Sequence, residues 1–532
     1  MRCTHAVPIV LSVLALPASA AVFQYTVPVA TGKSQAAAFL WIPPKAQRLR
    51  GAVMAGMTLM EREFVKDARI RRACAEEKLA IVFLTCGLGR CDPQKVLDDL
   101  ARASGYRELS AAPLLFVGHS AGGPQAKALA VKMASRCFGL VQYRGGVPGG
   151  PKPVPGGIPA LMMVGQFDEF GGTMRQENGR ETWEGGRDHV AAFRAKDERR
   201  LASIVVEPGA GHFAWSLRNA AYLAMFLRKA ATARIPAAWP VDAAKPVALR
   251  EIDYRRGWLT DLTIEKPGEH APAAYGQFRG ERAKAAWHFD KEMADATVAY
   301  HAGGFGKKDQ FIRWNDPYWV DAGTRFFFTR IQWVGDGRTF EVHPVYAEAY
   351  PSQHKGRGPR WLKAGKAVGH STGPIRVRPV SGPVVAAGPN TFRMRYDGLT
   401  PAGGSGRVTF LAYSAADAKY RYTEQVGMMP RGFRGLRRGK AQTITFPPVG
   451  NLKVGGAPVA LRATSDAGLP VAYYVAHGPA TVVAGTLKIV ELPARATFPL
   501  AVKVVAWQFG RGVEPLVKTA APVEQTIRIE KP

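Results

Sequence analysis

Between Gly51 and Val206, short apolar runs alternate with segments of helical character, and this alternation constrains the fold more than any other feature of the chain. The runs are Gly51–Gly56, Leu79–Leu84, Leu114–Gly118, Leu140–Tyr143, Leu161–Val164 and Ile204–Val206. They are apolar almost throughout rather than at every second position. A strand of that kind is buried on both faces, which is the situation in a parallel sheet covered by helices. Glu61–Glu77, Pro93–Ala103, Gly123–Ala134 and Ala214–Ala231 supply the helices, and Asp92 is placed to cap the one that opens at Pro93. The pattern predicts an α/β domain, with a mostly parallel sheet, over residues 21–238.

The texture then changes. Pro236, Pro240 and Pro246 punctuate a linker, and beyond it helix signals are scarce. Glu281–Ala299, carrying Trp287, Phe289 and Met293, is the one helical candidate. Strand-like runs such as Arg325–Trp333 and Arg407–Tyr413 are separated by Gly and Pro turns, which predicts β-sandwich-like modules over residues 239–438 and 439–532. A chain of 532 residues is long enough for about three or four domains. In the last module Gln442–Phe446, Gly455–Val459, Ser465–Tyr473, Gly478–Val482, Thr486–Ile489 and Gln525–Ile529 follow in order. Together they resemble the bacterial immunoglobulin-like repeats of secreted proteins. The resemblance implies a spacer or adhesive module. Trp507 does not sit between paired cysteines, so no antibody-type disulfide core is expected.

Residues 1–20 read as a secretory signal peptide. Arg2 is the charged n-region, Ala6–Leu16 the apolar stretch and Ala18-Ser19-Ala20 the small-residue cleavage site. The apolar stretch is too short to span a bilayer. A secreted or periplasmic protein is expected, cleaved after Ala20. Cys74, Cys86, Cys91 and Cys137 then remain, and four cysteines permit three pairings. Cys86 and Cys91 flank a tight Gly-Leu-Gly-Arg segment and can close a small loop, leaving Cys74–Cys137 as a second bridge; buried free thiols are the alternative. No cysteine–histidine cluster has zinc spacing, no dinucleotide fingerprint follows a strand and no Walker loop is present, so neither metal nor cofactor is expected. The net charge of +30 draws the chain to anionic surfaces. Without a finger, a helix-turn-helix or an aromatic ribonucleoprotein pattern, it gives no sign of specific nucleic-acid recognition.

The chemistry is carried by Gly118-His119-Ser120-Ala121-Gly122, a G-x-S-x-G that follows an apolar strand and opens a helix. That context is what makes the motif a nucleophile elbow. Small neighbours leave room for a sharp strand-to-helix turn, and the helix N-terminus favours developing negative charge. Downstream, Leu161–Asp168 is a strand that ends in a carboxylate. Pro208-Gly-Ala-Gly-His212 is a Gly-rich turn between a strand and a helix. The order Ser, Asp, His resembles that of α/β-hydrolases and differs from the chymotrypsin and subtilisin orders. The resemblance covers roughly residues 30–232. It implies Ser120 as nucleophile, Asp168 as acid and His212 as base. It also implies an oxyanion hole made of the Ala121 and Met57 backbone N–H groups, with Thr58 as the alternative to Met57. Where many relatives read His-Gly, this chain reads Ala55-Gly56-Met57. Glu169 and Asp188 are rival acids. His119 and His189 are rival bases, although His119 adjoins the serine in sequence and should point away from it.

Residues 144–158, where many relatives insert a cap, form only a short loop rich in Gly and Pro, so an open cleft is expected. The capless form resembles dienelactone-hydrolase-like, polyester-hydrolase and carbohydrate-esterase members. This implies a serine esterase acting on a polymeric, polysaccharide-linked ester. An anionic polymer suits the basic clusters Lys355, Arg357, Arg360, Lys363 and Arg431, Arg434, Arg437, Arg438, Lys440, the latter also reading as an exposed linker. Trp314, Tyr318, Trp319 and Trp333 are candidates for stacking on sugars or for a sandwich core. A peptidase of the prolyl-oligopeptidase branch and a non-catalytic binding protein on the same scaffold are the competing readings.

Overall fold

The structure is a computed structural model that describes residues 22–31, 35–56, 59–166, 168, 182–237, 245–263, 266–314, 329–350, 365–404, 407–429 and 435–531. The expected signal peptide, Met57, Thr58, Glu169, Tyr318, Trp319, Lys355, Arg357, Arg360, Lys363, Arg431 and Arg434 lie outside the described residues.

The N-terminal half is built on one sheet. Its elements run β1 (Tyr25–Ala30), β2 (Gln35–Trp41), β3 (Gly51–Gly56), α1 (Leu59–Lys66), α2 (Ala68–Glu76), β4 (Leu79–Leu84) and α3 (Pro93–Ser104). Then come β5 (Leu114–His119), α4 (Gly122–Lys132), β6 (Cys137–Tyr143), β7 (Ala160–Gly165), α5 (Thr182–Arg194), β8 (Ala202–Glu207) and α6 (Leu217–Arg234). The strand order is β1-β2-β4-β3-β5-β6-β7-β8. β1 and β2 join antiparallel; β4, β3, β5, β6, β7 and β8 run parallel. This is a mostly parallel α/β sheet covered by helices, as expected, and β-rich modules follow it.

The continuous apolar runs have a direct explanation. Met54, Val82, Phe116 and Ile204 enter the core on one face of the sheet. Their neighbours Val53, Ile81, Leu115 and Val205 enter the core on the other. Each such side chain contributes about 1.5–3 kcal/mol when fully buried, so neither parity of these strands tolerates a polar residue cheaply. The parallel register also aligns the strand ends. His119 lies opposite Tyr143, Tyr143 opposite Met163 and Gly165 opposite Glu207. The residues that follow these strands therefore emerge along one edge, where α/β sheets place their sites.

Two helices differ from the sequence expectation. Glu61–Glu77 is not one helix: Asp67 accepts the Arg69 N–H and caps α2, which separates it from α1. Glu281–Ala299 is not one helix. Ala286–His288 pairs with Trp258–Thr260, and Asp290 then caps α7 (Lys291–Ala302) by accepting the Met293 N–H at 3.0 Å. β1, β2 and α5 have no counterpart in the expected elements.

Beyond α6 the sheets are small and almost wholly antiparallel. One three-stranded sheet joins Arg376–Ser381, Thr409–Ser414 and Thr423–Met428, with the last at its edge. At the C-terminus a four-stranded sheet (Leu452–Lys453, Ala472–His477, Leu500–Trp507, Val523–Glu530) and a three-stranded sheet (Val459–Ala460, Ala480–Val483, Thr486–Ile489) share the core residues Leu452, Leu487, Val502, Val504 and Ile527. That core is continuous with one face of the large sheet. The buried Glu108 carboxylate also receives Arg495 at 3.0 Å. Trp314 is fully buried, and Trp333 packs on Phe340 and Phe509, so both belong to a core rather than to a sugar-binding surface. The side chains of Arg437, Arg438 and Lys440 are exposed, but the Lys440 backbone is hydrogen-bonded to Leu516 and Lys518. Among the described residues no helix is long and apolar enough to cross a membrane.

Cys74, Cys86, Cys91 and Cys137 are free thiols, so neither expected bridge forms. Cys74 and Cys137 are buried in the two different cores, so the expected second bridge does not form. Cys86 and Cys91 are hydrogen-bonded neighbours, a contact that pulls the Cys86 thiol down to about 7.

Candidate active site

Ser120 joins β5 to α4 with φ at +54°, a conformation that a residue with a Cβ adopts only under constraint. The constraint is visible in the backbone. The Ser120 N–H donates to Tyr143 O at 3.1 Å, and Ser120 O accepts the Gly123 N–H at 3.0 Å. The turn is so tight that a Cβ on Gly118 would lie 2.1 Å from Gly122 O, and one on Gly123 1.9 Å from Gly145 O. Glycine is required at both places. Ser120 is half-buried and Ala121, at the head of α4, is exposed. The Ala121 N–H thus belongs to the first turn of a helix, whose amides point away from the helix body. The partner donor expected from Met57, or from Thr58, falls outside the described residues.

Asp168 follows β7 and is buried, its N–H donating to Gly165 O at 3.3 Å. His212 ends the turn after β8 and is equally buried. His212 Nδ1 stands 2.9 Å from both carboxylate oxygens of Asp168. A carboxylate only accepts, so Nδ1 carries the hydrogen and the lone pair of the neutral ring is on Nε2. Of the rival groups, Asp188 and His189 are exposed on α5, and Asp188 pairs with Arg187 at 3.0 Å. His119 sits behind the His212 main chain: its Nε2 donates to His212 O at 2.9 Å, and the two rings are 4.8 Å apart. Burial, with the neighbouring His212, pushes the His119 imidazole well below its ordinary range. It is therefore a neutral packing group.

Several buried polar residues around these positions are not singled out by the sequence. Glu61, in the first turn of α1, accepts the His119 N–H at 2.6 Å and so ties the serine turn to the segment after β3. Arg144, which follows β6, forms a buried ion pair with Glu207 at the end of β8. Glu207 also accepts Ser216 Oγ at 2.9 Å and Asn219 Nδ2 at 2.6 Å. Asn219 Nδ2 reaches Tyr143 Oη at 2.6 Å, and Tyr143 donates to Ala214 O at 2.5 Å. The histidine turn is thus held from below by a polar network. Only Glu207 left a trace in the sequence, as an acid closing an apolar strand. Among the described residues no group of His, Cys, Asp or Glu is arranged to hold a metal ion.

The interval between β6 and β7, residues 144–159, contains no helix. No helical lid is inserted there.

No family model matches the chain, and no curated protein matches it in sequence. Solved structures do. The chain is similar to a dienelactone hydrolase from Anabaena variabilis at 16% identity, over 40% of this chain and 98% of that one, with a TM-score of 0.25. A lidless α/β serine hydrolase from Xanthomonas campestris is 15% identical over 41% of this chain and 97% of that one, with a TM-score of 0.28. An esterase from Pyrobaculum calidifontis is 15% identical over 41% and 86%, with a TM-score of 0.27. Likeness at this level says nothing of activity, so the chemistry of the site rests on its geometry.

Proposed function

We propose that the protein is an exported serine hydrolase that cleaves carboxylic esters through an acyl-enzyme. The observation that carries this reading is the buried pair in which His212 Nδ1 lies 2.9 Å from both oxygens of Asp168, with a strained serine after β5 on the same edge of the sheet. In this reading His212 Nε2 takes the Ser120 hydroxyl proton as Oγ attacks the ester carbonyl carbon. Asp168 holds the ring in the required tautomer and stabilises the imidazolium. The Ala121 N–H and a second N–H from Met57 or Thr58 receive the oxyanion. Collapse of the tetrahedral adduct breaks the carbonyl–alkoxide bond, and the imidazolium gives its proton to the leaving alcohol. Water then repeats the sequence on the acyl-serine, releasing the acid and restoring Ser120.

A polymeric, polysaccharide-linked ester is the substrate class we favour. The lidless stretch between β6 and β7 suits a large substrate, and the net charge of +30 suits an anionic one. The apolar segment at residues 1–20 supports export, and the C-terminal sheets support an immunoglobulin-like module. The test is hydrolysis of p-nitrophenyl acetate and longer acyl esters by the purified protein and by Ser120→Ala. Turnover that disappears in the variant is expected. Turnover that survives in the variant, or none in either, would overturn the reading.

A further inference from the structure

The strand Thr423–Met428 lies outside the large sheet, more than two hundred positions beyond the histidine turn in sequence, yet it meets that turn directly. The Glu424 N–H donates to Gly209 O at 2.9 Å. On the other side of the same residue, the Gly209 N–H donates to Gln166 Oε1 at 2.8 Å. Gly209 has φ at +72°, and a Cβ there would stand 2.2 Å from Tyr422 O. The turn that presents His212 is therefore clamped between the loop after β7 and an edge strand of a downstream module.

The side chain of Glu424 enters the same polar interior. It is completely buried, and Tyr422 Oη donates to its Oε2 at 2.6 Å. The groups that face it are Glu207 from β8, Arg144 from the end of β6, Tyr422 just before its own strand and Arg378 from Arg376–Ser381. Arg144 is already paired with Glu207. Burial first, and then the neighbouring Glu207, raise the Glu424 carboxyl to about 8 against the opposing pull of Arg144 and Arg378. Near neutral pH Glu424 then keeps its proton, while Glu207 remains paired with Arg144 and Arg378 faces the cluster. The neutral acid can donate as well as accept.

We propose that Glu424 is a positioning residue for the hydrolytic site: its main chain clamps the Pro208–His212 turn through Gly209, and its buried acid, held by Tyr422, fixes the downstream strand against that turn. The inference rests on His212 being the base. It makes the module part of the active-site scaffold rather than a tether. Ionisation of Glu424 above pH 8 places a second buried carboxylate beside Glu207 under the turn and disturbs its geometry.

The test uses the full chain with Glu424→Ala and Glu424→Gln. We expect Glu424→Ala to lower kcat for p-nitrophenyl acetate about tenfold or more while KM stays within about twofold, and to move the pH titration of the His212 imidazole followed by carbon-13 NMR. Glu424→Gln, a neutral hydrogen-bonding isostere, should keep kcat within about threefold at pH 7 and lose the inflection near pH 8 that the proposal expects in the native kcat. A folded Glu424→Ala with native kcat and native His212 titration would overturn the proposal. Should Glu424→Ala fail to fold, Glu424→Gln decides, and an unchanged inflection near pH 8 would overturn it. A native protein that hydrolyses no ester would sink the esterase reading alone. The His212 titration in the two variants would still decide the positioning role.

Discussion

Asp168 and Ser120 separate orientation from nucleophilicity, and each gives a prediction. Asp168→Asn keeps the size of the side chain but can present N–H groups to Nδ1, which favours the tautomer with its hydrogen on Nε2. We expect kcat to fall by about 10³–10⁴-fold with the melting temperature nearly unchanged, as calorimetry beside steady-state kinetics would show. A loss below tenfold would mean that another group orients His212. The candidates Ser120, Asp168 and His212 could be singled out in the sequence because each follows a strand, and the apolar runs that mark those strands stand out. Glu61 and Arg144 were not legible. A single acid in a helix, or an arginine before a Gly-rich loop, has no signature until the sheet brings it against His119 or Glu207. The donor expected from Met57 was read only from resemblance, and no residue pattern in Ala55-Gly56-Met57 marks it.

The serine turn and the histidine turn are both limited by backbone contact. In Gly123→Ala the new methyl would meet Gly145 O, an atom fixed by main chain rather than a movable side-chain end. The expected cost is about 1–3 kcal/mol or more, read from urea unfolding, with loss of activity because Ser120 moves with the turn. Gly209→Ala should act differently. Its methyl would strike the Tyr422 carbonyl, so it should loosen the strand Thr423–Met428 and expose the Glu424 amide to faster hydrogen exchange. Native exchange at that amide would contradict the clamp. Element boundaries were harder to read than element types. Nothing in the helical periodicity of Glu61–Glu77 announces a break, yet Asp67 can bond its own downstream amide and does so. The run Ala286–His288 is too short for its two-residue alternation to stand out, and only its pairing with Trp258–Thr260 makes it a strand.

At the scale of the whole molecule, the downstream modules cover what the large sheet leaves open. β8 is an edge strand, and His301 from α7 accepts its Val206 N–H at 3.1 Å. Burial lowers the His301 imidazole to about 3, as it does His288. The unfolded chain binds protons at these histidines below about 6.5 and the folded chain does not until about 3, so they cost stability as pH falls through that window. Glu424 has the opposite sign. Its raised carboxyl keeps a proton in the folded state from about 4.5 to about 8, so its contribution is lost as pH rises through that range. Melting curves against pH should therefore fall on both sides, and Glu424→Gln should flatten the alkaline side only. A chain ending at Ala237 would expose the β8 edge and the face that meets Arg495, and is expected to aggregate rather than fold. This dependence was invisible in the sequence, where the prolines after Ile235 read as a linker between independent units. The account as a whole turns on Ser120 being an activated nucleophile. The most direct measurement is labelling of the full chain with a fluorophosphonate probe, followed by peptide mass mapping, with His212→Gln alongside. The account predicts one adduct, on the peptide containing Ser120, formed at least about 10²-fold more slowly in His212→Gln. No adduct, or an adduct at another residue, would contradict it.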